Sequence, residues 1–267
     1  MNLLSLPLLI LLGGAVGTVA GYLGIGGGVI LVPVLTELFL ARDFGLDRAM
    51  TCAFATSLFT AVFTTGFAAW QQLRQNNLII AAVPWTAAGA IVGGQGGAWL
   101  GSRLPGDILH TAFGLFLLLA AVYLGGRWRG SESVDSYLVK RGALAAVGLI
   151  TGVVAAWFGI GGGILMVPAF IFLFRFPGGK VAGTSSAVAF LITISGVTGY
   201  LLYGGQRAVA APGSWGVIDL AVGIPLALGT SLTAGLGARL NKRYGGTIYR
   251  RVFALFLAVV AVRMLFS

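Results

Sequence analysis

The sequence predicts an all-α polytopic membrane protein made of two pseudo-symmetric repeats, inverted relative to each other. Three observations support this prediction. Apolar residues make up 58% of the 267 residues and charged residues only 9%, whereas soluble domains carry about 25% charged residues. Nearly all of the chain lies in apolar stretches, most of them long enough to cross a membrane. A glycine-rich stretch also occurs twice, at matching places in the two halves.

The first repeat is expected over residues 1–126 and the second over 141–267, joined by a polar, cytoplasmic linker at 127–140. In each repeat, one apolar segment ends at glycines, a short segment follows, and three long segments complete the unit. The predicted segments are 3–23, 28–41, 50–70, 77–100 and 108–125, then 141–158, 163–174, 182–203, 215–238 and 249–266. Each repeat therefore has about four long transmembrane helices and one short helix that is broken or re-entrant.

The two short segments decide the predicted topology. A helix as long as the segment 28–41 spans only about 21 Å, which is less than the ~30 Å hydrocarbon core. Both full crossing of the membrane and re-entry from one side therefore remain open. If the short segments cross, most of the 17 Lys and Arg residues fall on one face, which the positive-inside rule assigns to the cytoplasm. Five crossings per repeat is an odd number. Full crossing thus predicts inverted repeats with both termini outside.

The duplicated stretch reads GTVAGYLGIGGGVILVP at 17–33 and GVVAAWFGIGGGILMVP at 152–168, with ten of 17 aligned positions identical. We expect each GIGGG to interrupt the helix, because irregular backbone is tolerated inside a bilayer where protein or water covers it. The helix that starts after each break has N–H groups without intrahelical partners and a positive dipole end. Two such N-termini would bind a small anion. Matching breaks in two repeats are typical of a central transport site.

The predicted substrate site combines these glycines with nearby hydroxyls, which can donate to an oxyanion without burying a charge. Its members are Gly24, Gly26, Gly27, Gly28, Thr56, Ser57, Gly159, Gly161, Gly162, Gly163, Thr184 and Ser185, with Pro33 and Pro168 as helix-break prolines. The alternative for the glycines is close helix packing, which is the role expected for Gly13, Gly17, Gly21 and the run at 89–101. The alternative for the hydroxyls is a bond to helix backbone.

Four further polar residues are candidates for ion coupling or a vestibule. Glu37 lies in a short apolar segment, where a carboxylate is a proton-coupling candidate, although an ion pair with Arg42 is the favoured reading. For Gln95, interhelical bonding and substrate contact are equally open. Arg103 and Arg239 occupy equivalent helix ends, where they would anchor head groups or attract anions.

Two classes of function are excluded by the composition. The net charge of +10 does not indicate nucleic-acid binding, because the basic residues lie between apolar runs rather than along one face. One histidine, one cysteine and seven acidic residues give neither a metal-ligand spacing nor a catalytic group. We therefore expect no enzyme activity, no metal and no cofactor.

The doubled GIGGG-x(4)-P element, followed by ATS and GTSS and by the paired endings GSRL and GARL, resembles the TauE/SafE sulfite-exporter family. The resemblance implies secondary transport, with export of small sulfur-containing anions such as sulfite or organosulfonates across the cell (inner) membrane. It implies the glycines and prolines above as site residues. A proton and a sodium ion are the candidates for a coupling partner, and the sequence does not choose between them. A passive anion channel and a transporter of another small organic anion, such as a carboxylate, are the alternatives. The resemblance does not fix the oligomeric state.

Overall fold

A computed structural model describes residues 5–23, 27–126, 139–207, 213–244 and 247–266. Its described part contains ten α-helices and, before the ninth, an antiparallel hairpin of β1 (Ser214–Trp215) and β2 (Ile218–Asp219). The helices are α1 (Ser5–Leu23), α2 (Gly28–Leu40), α3 (Leu46–Arg74), α4 (Val83–Arg103), α5 (Gly106–Gly125), α6 (Arg141–Trp157), α7 (Gly163–Phe172), α8 (Gly178–Tyr203), α9 (Leu220–Tyr244) and α10 (Thr247–Phe266). The predicted all-α class is confirmed. Most of the linker, 127–138, lies outside the described residues.

The helix bounds differ from the apolar segments at several ends, among them the starts of α3, α4 and α9. α3 begins at Leu46 rather than at 50, because a polar first turn that contains Asp47 precedes the apolar run. α4 begins at Val83 rather than at 77, after a turn in which Asn76 has a φ of 54°. α9 begins at Leu220 rather than at 215, because the hairpin takes up the residues before it. Apolar character marks the part of a helix that lipid or protein covers, and it does not mark the helix ends.

The outer surface of the molecule is apolar. Leu119, Val122 and Leu232 are 63%, 70% and 74% exposed, and such a surface belongs in hydrocarbon rather than in water. Within the described residues, four helical stretches are long and apolar enough to span a membrane: Leu46–Arg74, Gly106–Gly125, Gly178–Tyr203 and Leu220–Gly237. The chain is a multi-pass membrane protein.

Two glycine seams join helices from different halves of the chain. Gly13, Gly17 and Gly21 face the backbone of α9, and a Cβ on Gly17 would lie 2.5 Å from the Thr230 carbonyl oxygen. On α4, glycines with the same four-residue spacing face the backbone of α6: Gly89, Gly93 and Gly97. The predicted packing role of these glycines is confirmed. In both seams the contacts advance in the same direction along the two helices, so α1 is parallel to α9 and α4 is parallel to α6.

Two other helix pairs run in opposite directions. Leu58 of α3 contacts Gly196 of α8, and Gly66 of α3 contacts Phe190 of α8. The residue numbers rise along α3 while they fall along α8, so the two helices are antiparallel. Gly114 of α5 contacts Leu265 of α10, and Gly125 contacts Ala254. Helices α5 and α10 are therefore also antiparallel. α3 and α8 form the centre of the molecule, since both also pack against helices of the two seams.

The seam between α4 and α6 gives a direct test. A Cβ on Gly97 would clash with the Val153 carbonyl oxygen, whereas a Cβ on its neighbour Gly96 meets only a Val153 methyl at 3.8 Å. We expect Gly97→Ala to lower the free energy of unfolding by about 2 kcal/mol through overpacking. Gly96→Ala is expected to leave it unchanged or to raise it, since alanine favours helix. Thermal unfolding in detergent measures both, and equal melting temperatures would contradict the assigned seam.

Candidate functional site

The second glycine stretch is a sharp break between α6 and α7. Gly159, Gly161 and Gly162 have φ values of +68°, +69° and +84°, in the left-handed region that strains residues with a Cβ. α6 ends in a Schellman arrangement, in which the Ile160 amide donates to the Ala155 carbonyl at 3.0 Å. The three glycines are buried. The break is therefore covered by protein rather than exposed to lipid.

The first glycine stretch lies directly against the second. Gly27 caps α2 and Gly28 begins it. A Cβ on Gly28 would lie 2.5 Å from the Ile160 Cα and would clash with the Gly159 carbonyl. The two motifs therefore meet backbone to backbone. Two predicted positions lie outside the described residues: Gly24 and Gly26.

The N-termini of α2 and α7 face each other across this contact. α2 runs opposite to α3, since Thr36 near the end of α2 bonds Met50 near the start of α3. α7 runs opposite to α8, since the two are joined by a short turn and Gly162 lies against Ile192 in the middle of α8. Because α3 and α8 are antiparallel, α2 and α7 are antiparallel too. From the glycine contact, α2 and α7 extend in opposite directions.

Several amide groups at this junction have no hydrogen-bond acceptor among the described residues. No acceptor in the part of the chain that the structure describes receives a hydrogen bond from the amides of Gly28, Val29, Gly161, Gly162, Gly163 and Ile164. First-turn amides lack intrahelical acceptors, and the helix dipole makes this end positive. The two helix starts thus present donors and partial positive charge in one place, which is the chemistry that holds an anion.

Three hydroxyl side chains surround the second break. The buried Ser57 hydroxyl donates to the Gly159 carbonyl at 2.7 Å. A Cβ on Gly161 would lie 3.4 Å from the Thr193 methyl and 4.0 Å from the Thr65 methyl. The hydroxyl oxygens of these two threonines are 3.4 Å apart. Ser57 thus fixes the backbone of the break, whereas Thr65 and Thr193 donate to carbonyls of their own helices, those of Ala61 and Phe190.

Thr65 and Thr193 were not among the predicted site residues. The signal that could have identified them lies in the repeat itself. The alignment that pairs Thr56 with Thr184 also pairs Thr65 with Thr193. The two threonines therefore occupy aligned positions of the predicted repeats, and they contact each other.

The remaining predicted hydroxyls bond elsewhere. Thr56 accepts a hydrogen bond from the Asp219 amide at 3.2 Å, and Thr184 accepts one from the Ile79 amide at 3.0 Å. These two bonds hold the turns that precede α9 and α4, in matching positions of the two halves. Ser185 is buried beside Thr184. Of the four predicted hydroxyls, the structure brings Ser57 into hydrogen-bond contact with a described glycine of the motif.

The two prolines do not break helices. Pro33 and Pro168 lie inside α2 and α7, and regular helix continues on both sides of them. The glycines make the breaks because only they reach the left-handed backbone that the second break requires. A proline at the sixth position of a helix removes one intrahelical donor and leaves the helix intact here.

The expected ion pair between Glu37 and Arg42 is wrong. Arg42 instead pairs with Asp219 at 2.8 Å, and Glu37 pairs with Arg263 of α10 at 2.8 Å. Residues three or four apart share a helix face, whereas residues five apart do not. Arg42 also follows the end of α2, which frees it to reach the start of α9.

The other polar candidates are structural or peripheral. Gln95 on α4 donates to the Ser195 carbonyl at 2.9 Å and to Thr198 at 3.0 Å, both on α8. Of its two predicted roles, these contacts correspond to hydrogen bonding between helices. Arg103 and Arg239 are exposed and form no ion pair with a described residue. Among the described residues, no three His, Cys, Asp or Glu side chains are grouped closely enough to hold a metal ion.

Comparison with known proteins gives a consistent family. The sequence model of the protein family described as "Sulfite exporter TauE/SafE" matches residues 9–264. A probable membrane transporter protein of Methanocaldococcus jannaschii is 26% identical over 98% of this chain and 96% of its own length. One from Haemophilus influenzae is 29% identical over 96% of this chain and 97% of its own length. No solved structure matches the chain.

Proposed function

The chain belongs to the sulfite exporter TauE/SafE family, and from this membership we propose that it is a secondary transporter that exports a small sulfur-containing anion such as sulfite or an organosulfonate. The relatives are named only as membrane transporters. The anion class therefore rests on the family and on the chemistry of the glycine junction. The proposed location is the cell (inner) membrane, with a proton or sodium ion as the coupling partner.

The observation that carries the proposal is the meeting of two helix N-termini whose first amides bond no acceptor in the described part of the chain. The oxygens of a sulfite or sulfonate group accept hydrogen bonds from such amides, and the two dipoles add their positive ends at the same place. Glycines leave no side chain between the anion and the backbone. The amides are fixed by the helices, so little reorganisation is needed when they replace the water around the anion.

The same proposal includes two inverted repeats. If the repeats are equivalent, α1 corresponds to α6 and α9 corresponds to α4. The pair α1–α9 then corresponds to the pair α6–α4, and in both pairs the helices are packed and parallel. Helices α3 and α8, which are equivalent, run antiparallel, and so do α5 and α10. Two repeats with re-entrant short segments would instead make each of these two pairs parallel. The helix directions therefore favour five crossings per repeat.

Inverted repeats suggest how the anion would cross. The glycine junction lies where the repeats meet, between α2 and α7, and opposite movements of the two repeats would expose it to one side and then the other. Thr65 and Thr193 touch at this meeting point. We propose that they form the pivot of the movement.

Flux into proteoliposomes tests the function and the site together. Gly27 has a φ of −72°, and a Cβ there would meet Val16 at 3.4 Å, so Gly27→Val is expected to fold. Its side chain would cover the amides of α2, and losing one hydrogen bond to a charged group costs ~1.5 kcal/mol. We expect sulfite flux to fall about tenfold or more. The matched control is Gly235→Val, because nothing lies within 4 Å of that position.

Three outcomes would contradict parts of the proposal. Unchanged sulfite flux in Gly27→Val would exclude the glycine junction as the site. Flux that does not saturate and ignores proton and sodium gradients would indicate a passive channel. Saturable flux of a carboxylate, with none for sulfite or sulfonates, would overturn the anion class while leaving the transport mechanism in place.

A further inference from the structure

We propose that a groove between α1, α2 and α10 binds one anionic phospholipid, whose head group is held by Arg239 and Arg251. The groove has a volume of about 710 Å³. Apolar side chains dominate its walls, among them Val19 on α1, Ile30 and Val34 on α2, and Phe256 on α10. This binding site is independent of the anion that the protein transports.

The groove opens to the membrane because α10 meets α2 at the Arg263–Glu37 ion pair and packs little against α1 or the rest of α2. α10 packs mainly against α5, which leaves Val19 37% exposed and Val252 63% exposed along the opening. The equivalent place in the second repeat is filled, since Phe158 packs against Phe113 at 5.7 Å and Phe116 at 5.1 Å between ring centroids. The groove is thus a specific feature of one side of the molecule.

The length of the groove matches one leaflet. On α1 its walls run from Leu12 to Tyr22, which corresponds to about 15 Å of helix. Half of a ~30 Å hydrocarbon core is the same length. An acyl chain that enters from one membrane face would therefore fill the groove to its inner end.

Positive charge stands at one end of the groove. Gly237 on α9 packs against the Tyr22 amide, so Arg239 lies just beyond this end, and Arg251 directly precedes Val252 in the groove wall. Both arginines are exposed, and neither forms an ion pair with a residue that the structure describes. Basic groups at such a position bind acidic head groups.

The occupant would also touch the transport machinery. Ile30 and Val34 lie on α2, the short helix whose first residue, Gly28, meets the second glycine stretch. A lipid in the groove would support α2 along the side that carries Ile30 and Val34. We therefore expect anionic lipid to raise the thermal stability of the purified protein more than neutral lipid does.

Native mass spectrometry of the purified protein tests the head-group site. The protein is titrated with phosphatidylglycerol or phosphatidylcholine of identical acyl chains. We expect tighter binding of one phosphatidylglycerol. In the double variant Arg239→Gln/Arg251→Gln its affinity should fall about thirtyfold, because each basic side chain near an anionic surface contributes about fivefold. Equal binding of the two lipids by the native protein, or unchanged phosphatidylglycerol binding by the double variant, would overturn the proposal.

A second pair of variants tests the groove itself. Ala15 lines the groove and is exposed on α1, away from the glycine seam, so Ala15→Phe should fill the groove without disturbing the fold. We expect it to abolish tight phosphatidylglycerol binding. The matched control is Ala88→Phe, at an exposed position on α4, which should bind as the native protein does. Native affinity in Ala15→Phe, with its thermal unfolding unchanged, would show that the lipid sits elsewhere.

Discussion

Gly28→Ala is expected to prevent the two glycine stretches from meeting and to lower the free energy of unfolding by about 3 kcal/mol. The added Cβ would lie 2.5 Å from the Ile160 Cα and would clash with the Gly159 carbonyl. Both obstacles are backbone atoms, so no side chain can rotate away to make room. Gly159 is itself held at a φ of +68°, which limits how far its backbone can shift.

The neighbouring glycine provides the control for this prediction. Gly27→Ala adds the same methyl group one residue earlier, where φ is −72° and the nearest atom is a Val16 methyl at 3.4 Å. We expect the melting temperature of Gly27→Ala in detergent to stay near that of the native protein, well above that of Gly28→Ala. If the two variants melt together, the contact between the stretches is not as close as described.

Asp219→Ala is expected to lower the free energy of unfolding by about 3 kcal/mol, since it removes one partner of a largely buried ion pair. The Asp219 side chain is 10% exposed and pairs with Arg42 at 2.8 Å. Its other carboxylate oxygen accepts from the Val222 amide at 3.0 Å, which caps the start of α9. The substitution thus frees the end of the hairpin, the start of α9 and the residue that follows α2.

Two asparagine variants separate the charge from the cap. Asp219→Asn keeps an oxygen for the Val222 amide and loses the charge, so its destabilisation should be smaller than that of Asp219→Ala. Asp43→Asn makes the same change at an exposed residue with a φ of 60°, a backbone that asparagine tolerates. We expect it to melt as the native protein does. A native melting temperature for Asp219→Ala would show that the ion pair contributes nothing.

The helical architecture could be predicted from the sequence because hydrophobicity acts over whole segments. Each of the ten predicted apolar segments overlaps one of the described helices, and GIGGG separates α6 from α7. The hairpin of Ser214–Asp219 was missed, because two-residue strands carry too few residues for an alternating pattern. The start of α3 was missed because its first turn is polar.

The candidate site could be predicted only in part. The glycines share a motif that is visible in the sequence, whereas their contact follows from the way the start of α2 packs against Gly159 and Ile160. The partners of single polar side chains could not be predicted from the sequence, because they are far away along the chain. Arg42 pairs with Asp219, and Thr184 accepts a hydrogen bond from the Ile79 amide. Such pairings depend on which loops are neighbours, and hydrophobic patterns contain no information about that.

The glycine seams also constrain how the chain matures on the ribosome. α1 is made first, yet its glycine face fits α9, which emerges near the end of translation. α4 must likewise wait for α6. A nascent first half would therefore sit in the bilayer with two glycine faces uncovered, and neither half should reach its final form when synthesised alone.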